Sequence, residues 1–421
     1  MSNDRDSIIN PKPRDFSDTS LQEFKVPEYN RWLKDLGLHF NPFDLVYLDA
    51  GEDPQLPTYL IGHKSFAAIW QDQTSFVFAP VGGGKTAFRV RLARACRVGQ
   101  DGRRVFPVIY KMPSPARFDH KNPTLEVHLA YINQAIAQEL LLTLAYNPRR
   151  FFDLESKLQT KIYELLVVNL PFDLDNYLQQ LLDKGTLMPL VELFDRTAER
   201  LFTLPHPEEI QNFCKGLVAA SQAASGQTNS NRKKSAFKRF AGLIQFLKDK
   251  LKYEAIYILV DGVDAYIEAV TKPQYSIELL KPLLNQTEPW AVKKIFVKYF
   301  LPSEFDQLIT LRDLSFPGEQ TRVDIVRVNW TQSMLEELIQ ERLRVASKGL
   351  YSSLDAICSP DLHGEIQSNL ILAARVRIPR EVLTLAAYLL QACFRRTQAP
   401  GRIEQIDFDV ARRRYDEERS L

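Results

Sequence analysis

The stretch that decides the fold is Ser75-Phe76-Val77-Phe78-Ala79 followed by Pro80-Val81-Gly82-Gly83-Gly84-Lys85-Thr86. Ser75 to Ala79 is a short apolar run of β-forming residues, and Pro80 and the glycines that follow it end the run, which is typical of a buried strand. From Lys85 to about Arg97 the pattern predicts a helix. The segment therefore reads as a strand, a glycine-rich turn and a helix in direct succession.

The turn from Ala79 to Thr86 matches the Walker A pattern, with Ala79 in place of its first glycine. The glycines let backbone N–H groups converge on a phosphate at the positive end of the helix. Lys85 supplies charge to the β- and γ-phosphates, and the Thr86 hydroxyl suits Mg²⁺, so we expect ATP and Mg²⁺ as cofactors. The residues expected to contact the nucleotide are Pro80, Val81, Gly82, Gly83, Gly84, Lys85, Thr86 and Ala87. The alternative is a Gly-Lys-Thr turn that merely joins a strand to a helix.

A second apolar run, Ile256 to Val260, ends in Asp261 and Asp264 as a Walker B element does. The carboxyl end of a parallel strand faces the nucleotide crevice, so Asp261 is expected to hold Mg²⁺ through a water. Asp264 is a candidate for polarising the attacking water, which makes Lys85, Asp261 and Asp264 the expected catalytic residues. The alternative is that these aspartates only cap a turn.

Three more strands are predicted at Val105 to Tyr110, Ile295 to Phe300 and Val323 to Val328, which gives a five-stranded parallel α/β sheet. Residues 125–252 show helical periodicity and are expected to form a large insertion. We expect a disordered leader over residues 1–25, a P-loop core over 26–330 and a small helical lid over 331–421.

Composition excludes some classes of protein. The chain has 54 basic and 52 acidic residues, so no global charge attracts nucleic acid, and any such contact needs a local patch. No stretch reaches the apolar length of a membrane span, and four dispersed cysteines fit a reducing compartment. A cytoplasmic protein without membrane contact is therefore expected.

The segments around these motifs resemble AAA and STAND P-loop ATPases, in the additional-strand (AAA-like) class. Asn41-Pro42-Phe43, Asp53-Pro54, Tyr59 and His63 look like the segment before the P-loop in origin-recognition and ExeA-type ATPases, and Val260-Asp261-Gly262-Val263-Asp264 looks like the NACHT branch. The resemblance implies an adenine pocket near Tyr59, Leu60 and Ile61. It also implies a sensor 1 role for Ser303 and a sensor 2 role for Arg380, although a plain surface arginine is the equal alternative for Arg380.

Two departures from these families bear on the rate of hydrolysis. Gly262 follows Asp261 where most AAA enzymes carry a glutamate, and Ala265 stands where NACHT proteins carry a second acid. We therefore expect slow hydrolysis and a nucleotide-gated switch, which signals through the helical insertion to a protein partner or to another copy of the chain. The resemblance alone suggests a role in signalling or defence.

The alternative function is a DNA-handling ATPase of the origin-recognition or transposition-regulator type. Two basic clusters motivate it, Arg89, Arg91, Arg94 and Arg97 in the predicted helix and Arg232 to Arg239 further on. A plain charged surface is the favoured interpretation of both clusters.

Overall fold

The computed structural model describes residues 27–43, 56–112, 124–184, 205–224, 233–264, 273–309, 323–362, 364–397 and 401–420, so the predicted leader lies outside the described residues. The strands are β1 (Thr74–Ala79), β2 (Val105–Lys111), β3 (Ala255–Asp261), β4 (Ile295–Pro302) and β5 (Val323–Arg327). The α-helices are α1 (Pro27–Asp35), α2 (Ser65–Ile69), α3 (Lys85–Val98), α4 (Leu125–Tyr146), α5 (Arg149–Phe152), α6 (Ser156–Asn169), α7 (Leu174–Lys184), α8 (Pro207–Ala223), α9 (Ala236–Gln245), α10 (Pro273–Leu284), α11 (Thr287–Val292), α12 (Gln332–Ala346), α13 (Ile366–Ala373), α14 (Pro379–Thr397) and α15 (Gln405–Glu418).

The five strands form one parallel sheet in the order β2-β3-β4-β1-β5, which confirms the predicted five-stranded parallel α/β architecture. β4 lies between β1 and β3, because Val77 of β1 pairs with Phe300 and Leu259 of β3 pairs with Lys298. Since all strands run the same way, their carboxyl ends meet at one edge. That edge holds Ala79 at the end of β1 and Asp261 at the end of β3.

Both faces of the sheet are covered, as parallel sheets require. Phe76 and Phe78 of β1 pack in the apolar cluster that also contains the inner face of α4. Val77 and Ala79, which alternate with them, pack in a second cluster with residues of α3. The continuous apolar runs seen in the sequence are therefore strands buried on both faces.

Helices α4 to α9 occupy the chain between β2 and β3, and the described residues of this segment contain no strand. α4 packs on β2 and α9 packs on α4. The small, polar residues from Ser221 to Lys234 predict a flexible linker inside this insertion, but the linker starts later than that, because α8 extends to Ala223. Residues 225–232 of that linker lie outside the described residues.

The chain divides into two compact units, residues 48–334 and residues 1–47 with 335–421. In the second unit the rings of Tyr29 and Trp32 on α1 meet Phe394 of α14 edge-on, at centroid distances of 5.2 and 5.8 Å. Arg342 of α12 donates to the carbonyl of Pro42 at 2.7 Å. The sequence pattern placed residues 27–43 with the core, whereas these contacts join them to the C-terminal helices.

No helix among the described residues combines the length and the apolar character needed to cross a bilayer.

A buried lysine lies inside the sheet, where the sequence predicted only an apolar strand. Lys298 of β4 is fully buried, and its ammonium donates to the carbonyls of Gln71 and Gln73 at 2.7 and 2.6 Å and to the Ser75 hydroxyl at 3.1 Å. Burial lowers the pKa of this lysine to about 7. The three acceptors compensate for the lost water, at the amino edge of the sheet.

A buried histidine links β2, α4 and α10. The Tyr110 hydroxyl donates to His128 Nδ1 at 2.7 Å, and His128 Nε2–H donates to the carbonyl of Leu279 at 2.8 Å. A carbonyl can only accept, so the hydrogen bonds select the neutral ring with its proton on Nε2. Burial lowers the pKa of His128 to about 4. The insertion is thus tied both to the sheet and to the helix that follows the Asp261 strand.

We expect His128 to make the protein sensitive to acid. Its pKa in the folded state lies below the unfolded value of 6.5, so the unfolded chain binds more protons between the two values. The stabilisation is fully present above the unfolded pKa and is lost as the pH falls toward about 4, by about 3 kcal/mol in all. Denaturant unfolding of wild type and His128→Gln from pH 7 to 4 tests this, and a constant difference in stability at every pH would contradict it.

Candidate functional site

The turn after β1 contains two glycines in the left-handed region and ends at the N-terminus of α3. Gly82 and Gly84 have φ of 81° and 93°, which residues with a side chain rarely adopt. The Gly83 N–H donates to the Pro80 carbonyl at 2.8 Å, and Gly84 caps α3, whose first residue is Lys85. The loop therefore ends at a helix N-terminus, where free N–H groups favour an anion.

Gly83 and Gly84 are also required by close neighbours. A Cβ on Gly83 would lie 2.9 Å from both the carbonyl oxygen and Cδ of Pro80. A Cβ on Gly84 would lie 3.3 Å from Trp330, whose indole N–H donates to the Gly83 carbonyl at 2.9 Å. Trp330, just after β5, thus anchors the loop from outside, and the sequence pattern did not reveal it.

Lys85 lies under the loop and is paired with a carboxylate. Its ammonium is 3.0 Å from Asp264 Oδ2 and donates to the carbonyls of Ala79 and Pro80 at 3.4 Å. The structure thus brings together two of the residues predicted from separate motifs. Phosphate oxygens would compete with Asp264 for the same ammonium.

Asp261 is also paired, with a cation that the sequence did not assign to the site. Arg89 Nε of α3 donates to Asp261 Oδ2 at 2.8 Å, and the N–H of Gly262 donates to Oδ1 at 2.9 Å. Arg89 is only 1% exposed, and Asp261 is buried. Arg89 is four residues after Lys85, so both project from the same side of the helix. That spacing is the signal that could have found it.

The backbone explains why a glycine follows Asp261. Gly262 has φ of 76°, although a Cβ there would meet nothing within 4 Å. The restriction is thus conformational rather than steric, because a residue with a side chain is strained at this φ. A glutamate at this position would have to change the path of the chain. Ala265 lies outside the described residues.

The donor types at this edge fit Mg²⁺. The Thr86 hydroxyl and the Asp261 carboxylate are hard oxygen ligands, and Mg²⁺ takes its remaining ligands from phosphate and water. Asp261 keeps lone pairs beyond its two hydrogen bonds, so it can still accept from a metal-bound water. Among the described residues, no group of three or more His, Cys, Asp or Glu side chains could hold an ion without a nucleotide.

The segment before the P-loop packs beside α3. Arg91 donates to the Ile61 carbonyl at 2.5 Å, and the His63 ring lies edge-on to Phe88 and Trp330, at centroid distances of 4.9 and 5.3 Å. Burial lowers the pKa of His63. The predicted adenine-pocket residue Tyr59 is buried, whereas Leu60 is partly exposed. The segment is therefore adjacent to the helix that follows the loop, and the adenine-pocket role of Tyr59, Leu60 and Ile61 stays a prediction.

The arginines of α3 have internal partners. Arg89 pairs with Asp261. The Arg91 guanidinium also lies 4.2 Å from the centroid of the Phe66 ring. Arg97 binds Glu139 of α4 through two hydrogen bonds of 2.8 and 2.6 Å. Only Arg94 of this cluster is exposed. The interpretation as a plain charged surface is therefore wrong for Arg89 and Arg97, whose side chains are buried in ion pairs, and DNA binding by this helix stays a prediction.

The remaining sensor residues lie further along the chain. Ser303 directly follows β4 and begins a short 3-10 helix, Ser303–Phe305. Arg380 is in the first turn of α14, in the compact unit that does not contain the loop. Their sensor roles stay predictions.

Comparisons of the chain with protein-family models, with curated proteins and with solved structures find no match. The function must therefore be argued from the geometry of this site.

Gly83→Ala is expected to weaken the binding of ATP at least about tenfold, because the new methyl group displaces Pro80 and spoils the convergence of the loop N–H groups. Gly242→Ala is the matched control. Gly242 lies in α9 with open space around it, so the helix should gain slightly in stability. Affinity for a fluorescent ATP analogue and the melting temperature are measured for both. Unchanged affinity in Gly83→Ala would contradict the assignment of the loop.

Proposed function

We propose that this chain is an ATP-binding P-loop ATPase that hydrolyses ATP slowly and acts as a nucleotide-gated switch. One observation carries the proposal: a glycine loop at a helix N-terminus, with a lysine inside it, lies at the same sheet edge as two aspartates. Phosphate binding explains the left-handed glycines, the lysine and the carboxylates together. A simple connecting turn requires none of the charged residues.

The order of the strands supports the additional-strand class. β4 separates the P-loop strand β1 from the Asp261 strand β3, so a further strand lies between the two motifs. The resemblance to AAA and STAND ATPases points to the same class from independent features, the motifs themselves. The fold does not by itself give the function, so the site residues carry the rest.

The chemistry follows from the positions of the groups. The loop N–H groups and the start of α3 would hold the β-phosphate. Lys85 would break its ion pair with Asp264 and contact the β- and γ-phosphate oxygens instead. Thr86 would hold Mg²⁺ directly, and Asp261 would contact it at most through a bound water. The ion, when bound, would neutralise charge that develops on the phosphates.

One feature of the turn after β3 favours slow turnover. The next position after Asp261 is a glycine in a left-handed conformation, which disfavours a glutamate. A site without a positioned general base loses about 10² to 10⁴ in rate.

A switch follows from the same pairs. A phosphate that takes Lys85 frees Asp264, and Asp264 lies on the segment that leads to α10. α10 is joined to the helical insertion through Leu279 and His128. The state of the nucleotide can thus reach the insertion, where we place contacts with a protein partner or with another copy of the chain.

The contacts of the described residues do not favour the DNA-handling alternative. Three arginines of its first basic cluster are engaged inside the protein, and no contact of the described residues favours nucleic acid at the second.

Lys85→Ala is expected to reduce ATP affinity by roughly 10² or more, because it removes a buried charge that meets the phosphates. Lys281→Ala, in an exposed ion pair with Glu278, is the control and should bind like wild type. Titration with a fluorescent ATP analogue measures both variants. A Lys85→Ala protein that binds ATP as tightly as wild type would contradict the proposal.

ATP is expected to change the assembly or the hydrodynamic radius of the protein. Size-exclusion chromatography is run with and without ATP, with and without Mg²⁺, and with Lys85→Ala as the variant that should not respond. An identical elution volume under every condition would identify a passive nucleotide binder instead of a switch.

A further inference from the structure

The Arg89–Asp261 ion pair is not explained by the proposed chemistry, since Asp261 needs a metal-bound water rather than an arginine. We infer that Arg89 sets the divalent-cation dependence of this site: by holding Asp261, it lets the loop take ATP with or without Mg²⁺. The inference rests on the proposed function and names the form of the nucleotide that the site accepts. It assigns a role to a residue that lies outside the Walker motifs.

The geometry favours a persistent pair. Arg89 Nε meets Asp261 Oδ2 at 2.8 Å, and the second oxygen accepts from the Gly262 N–H at 2.9 Å. Both side chains are buried, at 1% and 8% exposure, so water does not screen the pair. Removing one partner of a buried pair is strongly unfavourable, because it leaves the other charge without compensation. Asp261 is therefore held before any metal arrives.

The charges of the site point the same way. Lys85 and Arg89 balance Asp264 and Asp261, so the four groups sum to zero in the absence of a metal. When the phosphates take Lys85, Arg89 still neutralises Asp261, and that carboxylate does not repel the nucleotide. Mg²⁺ gives up its water reluctantly and has to compete with a guanidinium already in contact. The metal thus gains less from Asp261 than it would from a free carboxylate.

The experiment compares ATP affinity in Mg²⁺ and in EDTA for three proteins. The ATP affinity of wild type should differ by less than about threefold between the two buffers. Arg89→Gln keeps a hydrogen-bond donor but loses the charge, so it should bind ATP at least about tenfold tighter in Mg²⁺ than in EDTA. Arg89→Lys keeps the charge and should behave like wild type. Equal Mg²⁺ dependence in wild type and Arg89→Gln would overturn the inference.

A matched control exists on the same helix. The Arg97 side chain is also buried and paired with a carboxylate, Glu139, but it belongs to the far end of α3. Arg97→Gln should lower the melting temperature by an amount similar to Arg89→Gln and leave the Mg²⁺ dependence of ATP binding unchanged. A similar gain in Mg²⁺ dependence in Arg97→Gln would show a general effect of destabilisation and overturn the inference.

A second readout does not use nucleotide. Mg²⁺ alone should raise the melting temperature of Arg89→Gln, because the negative charge of Asp261 has lost its arginine partner there. It should not raise the melting temperature of wild type or of the double variant Arg89→Gln/Asp261→Asn. Equal shifts in all three would contradict the role of Arg89. If wild type bound no ATP in either buffer, the proposed function would fail while this measurement still tested Arg89.

Wild type alone covers the case in which Arg89→Gln does not fold. If wild type bound ATP at least about tenfold tighter in Mg²⁺ than in EDTA, Arg89 would not be holding Asp261 away from the metal, and the inference would be wrong.

Discussion

Parallel pairing of the five strands is the constraint on which the rest of this structure depends. Because parallel neighbours cannot be joined by tight turns, each connection crosses over a face of the sheet, and helices cover both sides. The same pairing brings the ends of β1 and β3 to one edge, although Ala79 and Asp261 are 182 positions apart in the chain. The site therefore arises from topology rather than from closeness in sequence.

The strands and the loop could be predicted because local signals agree there. Apolar runs such as Ile256 to Val260 are buried on both faces, and the left-handed glycines of the loop allow little besides glycine, so both leave marks in the sequence. The ends of helices were predicted less well, as at α8, where the polar residues from Ser221 continue the helix to Ala223. Tertiary packing determines where such a helix ends, and this packing cannot be read from amino-acid composition.

Partners of charged residues could not be predicted for a different reason. The sequence shows Arg89, Arg97 and Lys298 as cations, and a cation in isolation suggests a solvated surface. Each is buried because a specific acceptor lies opposite it in the fold: Asp261, Glu139 and the carbonyls near β1. The strand register and the crossover connections determine which side chains face each other. A charge-pattern argument therefore overestimates the surface charge of α3.

Gly262 shows how backbone shape and charge act on the same function. Its left-handed φ turns the chain directly after Asp261, which lets its own N–H bond the carboxylate and leads the chain to Asp264 beside Lys85. A glutamate at this position would gain a general base but lose the unstrained turn that orients both aspartates. Fast hydrolysis would thus require a glutamate at position 262, whereas the observed pairing of charges requires a glycine there. Under the proposed function, the glycine favours a site that binds its nucleotide and responds to it over one that hydrolyses it quickly.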